Sequence, residues 1–155
     1  METNIGVNER DMWWKPPKQN LTLEEFKSDI CQYVRFMDWV SFAEMRRRYG
    51  SQAQGEYTLR LPRFPNIILF EGLSNIFCSA ISDLLIEKKI HPHGSSPLVY
   101  LIDGMELQLP LVKRMPLSGD YKRPHWLPVT FRYGEHCSTK DCPYYIRPST
   151  EKETS

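Results

Sequence analysis

Residues Glu87 to Leu109 read EKKIHPHGSSPLVYLIDGMELQL, and the fold turns on how this stretch is divided. Its first residues close an apolar-striped helix. Leu73, Ile76, Phe77, Ala80, Ile81, Leu84 and Leu85 recur at the spacing of one helical face. Lys88 and Lys89 lie at its end, and His91-Pro92-His93-Gly94 stops it. From Leu98 the period changes. Leu98, Tyr100 and Ile102 alternate with Val99 and Leu101, and Met105, Leu107 and Leu109 alternate with Glu106 and Gln108. Asp103-Gly104 between them suits a two-residue type I′ turn. The spacing predicts a β-hairpin from Leu98 to Leu109, directly after a helix.

Two more helices precede this pair. Thr22 and Glu25 match a capping box, with Leu21 and Phe26 as its hydrophobic staple. Leu23, Phe26, Ile30, Tyr33, Val34 and Met37 then form a stripe that runs to about Asp38. Ser41 and Glu44 repeat the start signal, with Val40 and Met45 as the staple pair. Phe42, Met45 and Tyr49 point this second helix inward, and Gly50 ends it. Arg46, Arg47 and Arg48 fill its last turn, where positive charge suits the helix dipole. Between the second and third helices, Tyr57 to Leu61 alternates as a strand. The PRFP segment breaks that pattern, since proline lacks the donor a sheet needs. The run NIILF reads either as a short strand or as the lead-in to the third helix. Near the end, WLPVTFRY offers one more strand.

A chain of 155 residues is long enough for one domain and its core. The division expected is an N-terminal arm over 1–20, carrying Trp13-Trp14, a domain over 21–133, and a C-terminal loop and tail over 134–155. No run of about 18 apolar residues is present, and the first residues lack the order of a signal peptide. No membrane contact and a cytoplasmic location are therefore expected. The formal charge is +1, which shifts any nucleic-acid question from the total to local clusters.

Catalytic and metal chemistry find few carriers. His136 beside Cys137 lacks a third orienting group, and no glycine-rich phosphate loop exists, so a non-enzymatic protein without cofactor is expected. His136, Cys137 and Cys142 would need a fourth zinc ligand from His91, His93 or His125. A loop with two free thiols accounts for that set, and no metal is expected. Cys31 and Cys78 fall within helices as small core-type residues.

The helices TLEEFKSDICQYVRFMDW, SFAEMRRRYG and LSNIFCSAISDLLIEKK, followed by LVYLIDGMELQL, resemble the winged-helix branch of the helix-turn-helix proteins over about residues 22–109. The resemblance implies an α+β fold: a three-helix winged-helix core with a β-hairpin wing and an extra C-terminal strand. It also implies a third helix in the major groove and a wing on the flanking backbone. Ser74, Asn75 and Ser79 would then meet bases or phosphates, and Arg46, Arg47, Arg48, Lys88 and Lys89 would hold phosphates. Lys122 and Arg123, interleaved with Tyr121 and His125 and preceded by Lys113-Arg114, combine stacking rings with charge. The role implied is a regulator of transcription or of a mobile element, bound to double-stranded DNA. Two features depart from the family pattern. Gly50 to Gly72 separate the second and third helices, and the third helix has no arginine or lysine on its middle turns. The alternative is a protein–protein interaction adaptor or homodimer on the same scaffold. Its evidence is the uncharged third-helix face and the aromatic pairs Trp13-Trp14 and Tyr144-Tyr145.

Overall fold

The computed structural model describes residues 16–135. The order there is α1 (Leu23–Met37), β1 (Val40–Ser41), α2 (Phe42–Tyr49), a 3₁₀ turn (Gly50–Ala53), β2 (Gln54–Arg60), β3 (Ile67–Leu73), α3 (Asn75–Ile86), β4 (Ile90–Gly94), α4 (Leu98–Leu101), β5 (His125–Trp126) and β6 (Val129–Tyr133). The arrangement is α+β, with two three-stranded sheets ordered β1-β6-β4 and β2-β3-β5. No helix among the described residues is long and apolar enough to cross a membrane.

Local signals set the helix starts. The Thr22 hydroxyl accepts the Glu25 N–H at 3.2 Å, and the Glu25 carboxylate accepts the Thr22 N–H at 3.0 Å. Ser41 caps α2 in the same way, at 3.0 Å from the Glu44 N–H. The Glu44 carboxylate does not close a second box, because it accepts the Tyr33 hydroxyl at 2.6 Å. Two successive non-glycine residues of positive φ, Asp38 (55°) and Trp39 (53°), end α1 and turn the chain into β1. Such backbone costs about 1–3 kcal/mol per residue and persists where neighbours over-determine it. Arg132 does so here. It donates twice to the Asp38 carboxylate, at 3.0 Å each, and lies 4.2 Å over the Trp39 ring. The sharp turn also leaves Met37 half exposed, although the helical stripe reads it as inward.

The segment between α2 and α3 is an antiparallel pair, β2 with β3, and NIILF supplies a strand. Gly55 lies so close to this pair that a Cβ there would stand 2.7 Å from the Leu73 carbonyl oxygen. α3 buries Phe77, Ala80, Ile81 and Leu84 against α1 and β2. One chain of rings ties the helices to both sheets. Phe42 stacks on Phe70 at 5.3 Å and meets Phe131 at 5.1 Å; Phe70 meets Tyr100 at 5.4 Å, and Tyr100 meets Trp126 at 5.3 Å.

The predicted hairpin over Leu98–Leu109 is not formed. Leu98–Leu101 is a short helix, and residues 105–109 belong to no strand. The reason is legible in retrospect. Ser96 accepts the Leu98 N–H at 3.1 Å, and Pro97 occupies the helix start, where its fixed φ fits. Gly104 (φ 68°) then closes a Schellman motif: the Met105 N–H reaches the Tyr100 carbonyl and the Gly104 N–H the Leu101 carbonyl, each at 3.0 Å. Asp-Gly acts as a helix stop rather than a hairpin turn. Only Tyr100 of this run is fully buried, so no strand face has to be matched. The antiparallel pair that follows α3 is instead β4 with β6, from Ile90↔Tyr133 to Gly94↔Val129. IHPHG, read above as a stop, is therefore a strand. It tolerates Pro92 because β4 is an edge strand. The expected C-terminal strand is present as β6 and lies at the centre of its sheet.

Candidate nucleic-acid interface

The cations expected beside α3 are mostly engaged within the fold. Arg48 is almost wholly buried. It donates to both Asp29 oxygens, at 3.1 and 3.3 Å, and lies 4.7 Å over the Tyr33 ring. Arg47 pairs with Asp103 below α4. Arg46 is half-buried, its Nη1 3.6 Å from where a Cβ would stand on Gly72. Ser74 is spent as the α3 cap, since it accepts from the Phe77 N–H at 3.2 Å and donates to the Gln52 carbonyl at 2.6 Å. Asn75 is exposed on the first turn and Ser79 is half-buried. Lys88 and Lys89 are exposed at the other end of α3, about 18 Å away for a helix of that length. There they meet Glu135 at 3.7 Å and Glu87 at 3.6 Å. These residues do not converge on one surface.

A different set of cations does converge. Loop 61–66 joins β2 to β3, and 102–124 joins α4 to β5. Asp120 fastens the two, accepting the Asn66 N–H at 2.8 Å and the Tyr121 N–H at 2.7 Å. The Asn66 amide donates to the Tyr121 carbonyl at 2.6 Å, and the Tyr121 hydroxyl reaches the Arg114 carbonyl at 2.6 Å. Around this knot stand Arg60, Arg63, Lys113, Arg114, Lys122 and Arg123, all exposed. Over residues 60–66 and 111–125 the balance is six cations against one carboxylate, +5, in a chain of total +1. None of the six is in an ion pair among the described residues; Arg60 donates to the Pro65 carbonyl at 2.9 Å instead. Rings lie between them. Tyr121 stacks on His125 at 3.9 Å and 21°, and Arg63 lies 5.6 Å from the Phe64 ring centroid.

Lys122 and Arg123 are thus the members of the expected set that join a built cluster. Arg60 and Arg63 were missed because they sit in the PRFP loop, which reads as a mere strand breaker. Only the contacts of Asn66 with a segment more than fifty residues later bring them here. The remaining chemistry-bearing groups lie elsewhere. His91 is buried, with Nδ1 3.2 Å from the Gly134 carbonyl oxygen, and His93 meets the edge of Trp39. Burial pushes the Cys31 thiol up and the Cys78 thiol up to about 11, so both stay protonated near neutrality. His136, Cys137, Cys142 and both aromatic end pairs lie outside the described residues. No protein-family model, curated protein or solved structure matches this chain significantly.

A second surface is apolar. Leu98, Leu101 and Ile102 are 59%, 51% and 84% exposed around the buried Tyr100, so α4 forms an apex whose outer side is hydrocarbon.

Proposed function

We propose that this chain is a nucleic-acid-binding protein on a winged-helix scaffold, holding phosphates through the basic cluster around Asp120 rather than through α3. The six uncompensated cations, five on two joined loops and Arg60 at the end of β2, carry this reading. Three helices followed by the antiparallel pair β4–β6 support the scaffold assignment. On that assignment the connection from β4 to β6 is an enlarged wing, and it bears Lys113, Arg114, Lys122 and Arg123. Backbone contact is the wing's task in the family. A DNA-directed regulator is the role that follows.

Each phosphate neutralised on a duplex adds about 0.9 to the slope of log affinity against log salt. Reversing Lys113, Arg114, Lys122 and Arg123 to glutamate is expected to flatten the slope for a labelled random-sequence duplex by about 3. Reversing Lys88 and Lys89 is expected to change it by less than about 1. Fluorescence anisotropy at several salt concentrations reads both. The basic-cluster reading is lost if the Lys88/Lys89 variant carries the larger change.

One observation favours a second reading, a protein-interaction adaptor or homodimer: the apolar apex of α4. Burying Leu101 and Ile102 against a second copy would contribute about 3–5 kcal/mol. Sedimentation would then show a mass that rises with concentration above 18.3 kDa. Leu101→Asp with Ile102→Asp would hold it at the monomer. A wild-type protein that stays monomeric at high concentration removes the homodimer form of this reading.

A further inference from the structure

We infer that the ligand of the basic cluster is a single-stranded nucleic acid, an inference that rests on the reading above. The first argument is the shape of the cluster. Five of its six cations lie on loops 61–66 and 102–124, and Arg60 is the last residue of β2. A duplex is read by a helix or a β-ribbon that enters the major groove. The β2–β3 pair ends at loop 61–66, but β3 is also bonded to β5, so it is part of a three-stranded sheet and not a free two-stranded ribbon. α3 is without arginine or lysine and partly covered by β2. Loops reach a flexible strand without that requirement.

The second argument is the ring content. The half-buried rings of Phe64, Tyr121 and His125 stand among the cations. Tyr121 and His125 form a parallel stack, and Arg63 approaches the Phe64 ring. Bases in a duplex are already stacked on one another. Unpaired bases present free faces, and an aromatic platform beside cations is what a single strand uses. The third argument is rigidity. Asn66 ties the two loops by two hydrogen bonds, 2.8 Å to Asp120 and 2.6 Å to Tyr121, and the Asp120 carboxylate also accepts the adjacent Tyr121 N–H at 2.7 Å, so the rings and charges are ordered before any ligand arrives. Phosphates would lie along Arg60, Arg63, Lys113, Arg114, Lys122 and Arg123, with bases laid against Tyr121 and Phe64. Nothing in this arrangement reads base edges, so binding would be tolerant of sequence.

The test compares three probes on the full chain: a labelled oligothymidylate of about 12 nucleotides, a duplex of the same length, and heparin. The oligothymidylate is expected to bind at least about tenfold tighter than the duplex, with a salt slope near 0.7 per phosphate held. Phe64→Ala and Tyr121→Ala are each expected to weaken the single strand about tenfold and to leave the duplex within about twofold. Tyr121→Phe, which keeps the ring and loses only the hydroxyl bond to Arg114, is expected to bind like the wild type. If the alanine variants fail to fold, Lys122→Ala with Arg123→Ala supplies the second measurement. Those side chains are exposed, and their loss should cost the single strand at least fivefold. Equal or tighter binding of the duplex overturns this inference and leaves the proposed function standing. Heparin binding as tight as the oligonucleotide, with no effect of Phe64 or Tyr121, overturns it in favour of plain polyanion attraction. No binding of either nucleic acid at low salt overturns both.

Discussion

Asp29→Ala is expected to lower the unfolding free energy by about 3–5 kcal/mol, because it strands a buried guanidinium. Asp29 sits on α1 and accepts three hydrogen bonds from the end of α2: two from Arg48 and one from the Tyr49 hydroxyl at 2.6 Å. The Arg48 side chain is 8% exposed, so water replaces the lost carboxylate only poorly. A domain of this size has about 5–15 kcal/mol to lose, and much of it would go. Urea unfolding followed by circular dichroism reads the change as a lower midpoint at similar slope. The sharper experiment removes the charge as well. Asp29→Ala combined with Arg48→Met is expected to recover most of the loss, since a hydrophobic replacement of a buried pair is often neutral. A single-variant cost below about 1 kcal/mol would show that Arg48 finds solvent after all. Arg48→Met is also expected to leave nucleic-acid affinity unchanged, which separates this arginine from the ones around Asp120.

Tyr100→Ala is expected to cost at least about 3–5 kcal/mol. The side chain is fully buried and touches Phe70 and Trp126 in the ring chain that joins the two sheets. Its hydroxyl donates to the Val129 carbonyl at 2.6 Å and accepts the Phe42 N–H at 3.1 Å. It thus pins α4 to β6 and to the first residue of α2. Truncation opens a cavity and also leaves two buried backbone groups without a partner. Tyr100→Phe isolates the second effect and is expected to cost about 1–3 kcal/mol. Calorimetry on both variants gives the two contributions. A Tyr100→Phe protein as stable as the wild type would mean that the paired backbone groups find other partners. Burial also pushes the Tyr100 phenol upward, so the hydroxyl remains a donor across the range in which the protein would be studied.

What could be read from the residues was what is encoded within a few positions. The Thr22 and Ser41 caps and the α3 stripe from Ile76 to Leu85 depend on neighbours three or four residues away, and they formed as spaced. Leu73, read as the first residue of that stripe, instead closes β3, and the Glu44 half of the second capping box is not made. The segment from Leu98 to Leu109 was misjudged because its alternation and its Asp-Gly pair are equally compatible with two structures. The choice fell to Tyr100, whose partners lie about thirty to sixty residues away in sequence. β4 was hidden by Pro92, a strand breaker anywhere except at an edge. Edge position is a property of the whole sheet and not of the pentapeptide. The candidate interface divides the same way. Lys122 and Arg123 announce themselves as an exposed basic pair, whereas Arg60 and Arg63 gain meaning only through the bonds between Asn66 and Tyr121. Counting charges along the helices overestimated the first group of arginines, since the sequence does not display the carboxylates that Arg47 and Arg48 meet.

Among the described residues 16–135 the net charge is +2, so the five excess positive charges gathered on the two loops and Arg60 leave −3 on the rest. Such a molecule carries a permanent electric dipole that its isoelectric point conceals. In the field of a polyanion it experiences a torque as well as a pull, and would swing its loop end forward before first touch. On a cation-exchange column it should be retained despite its small net charge, held in one orientation.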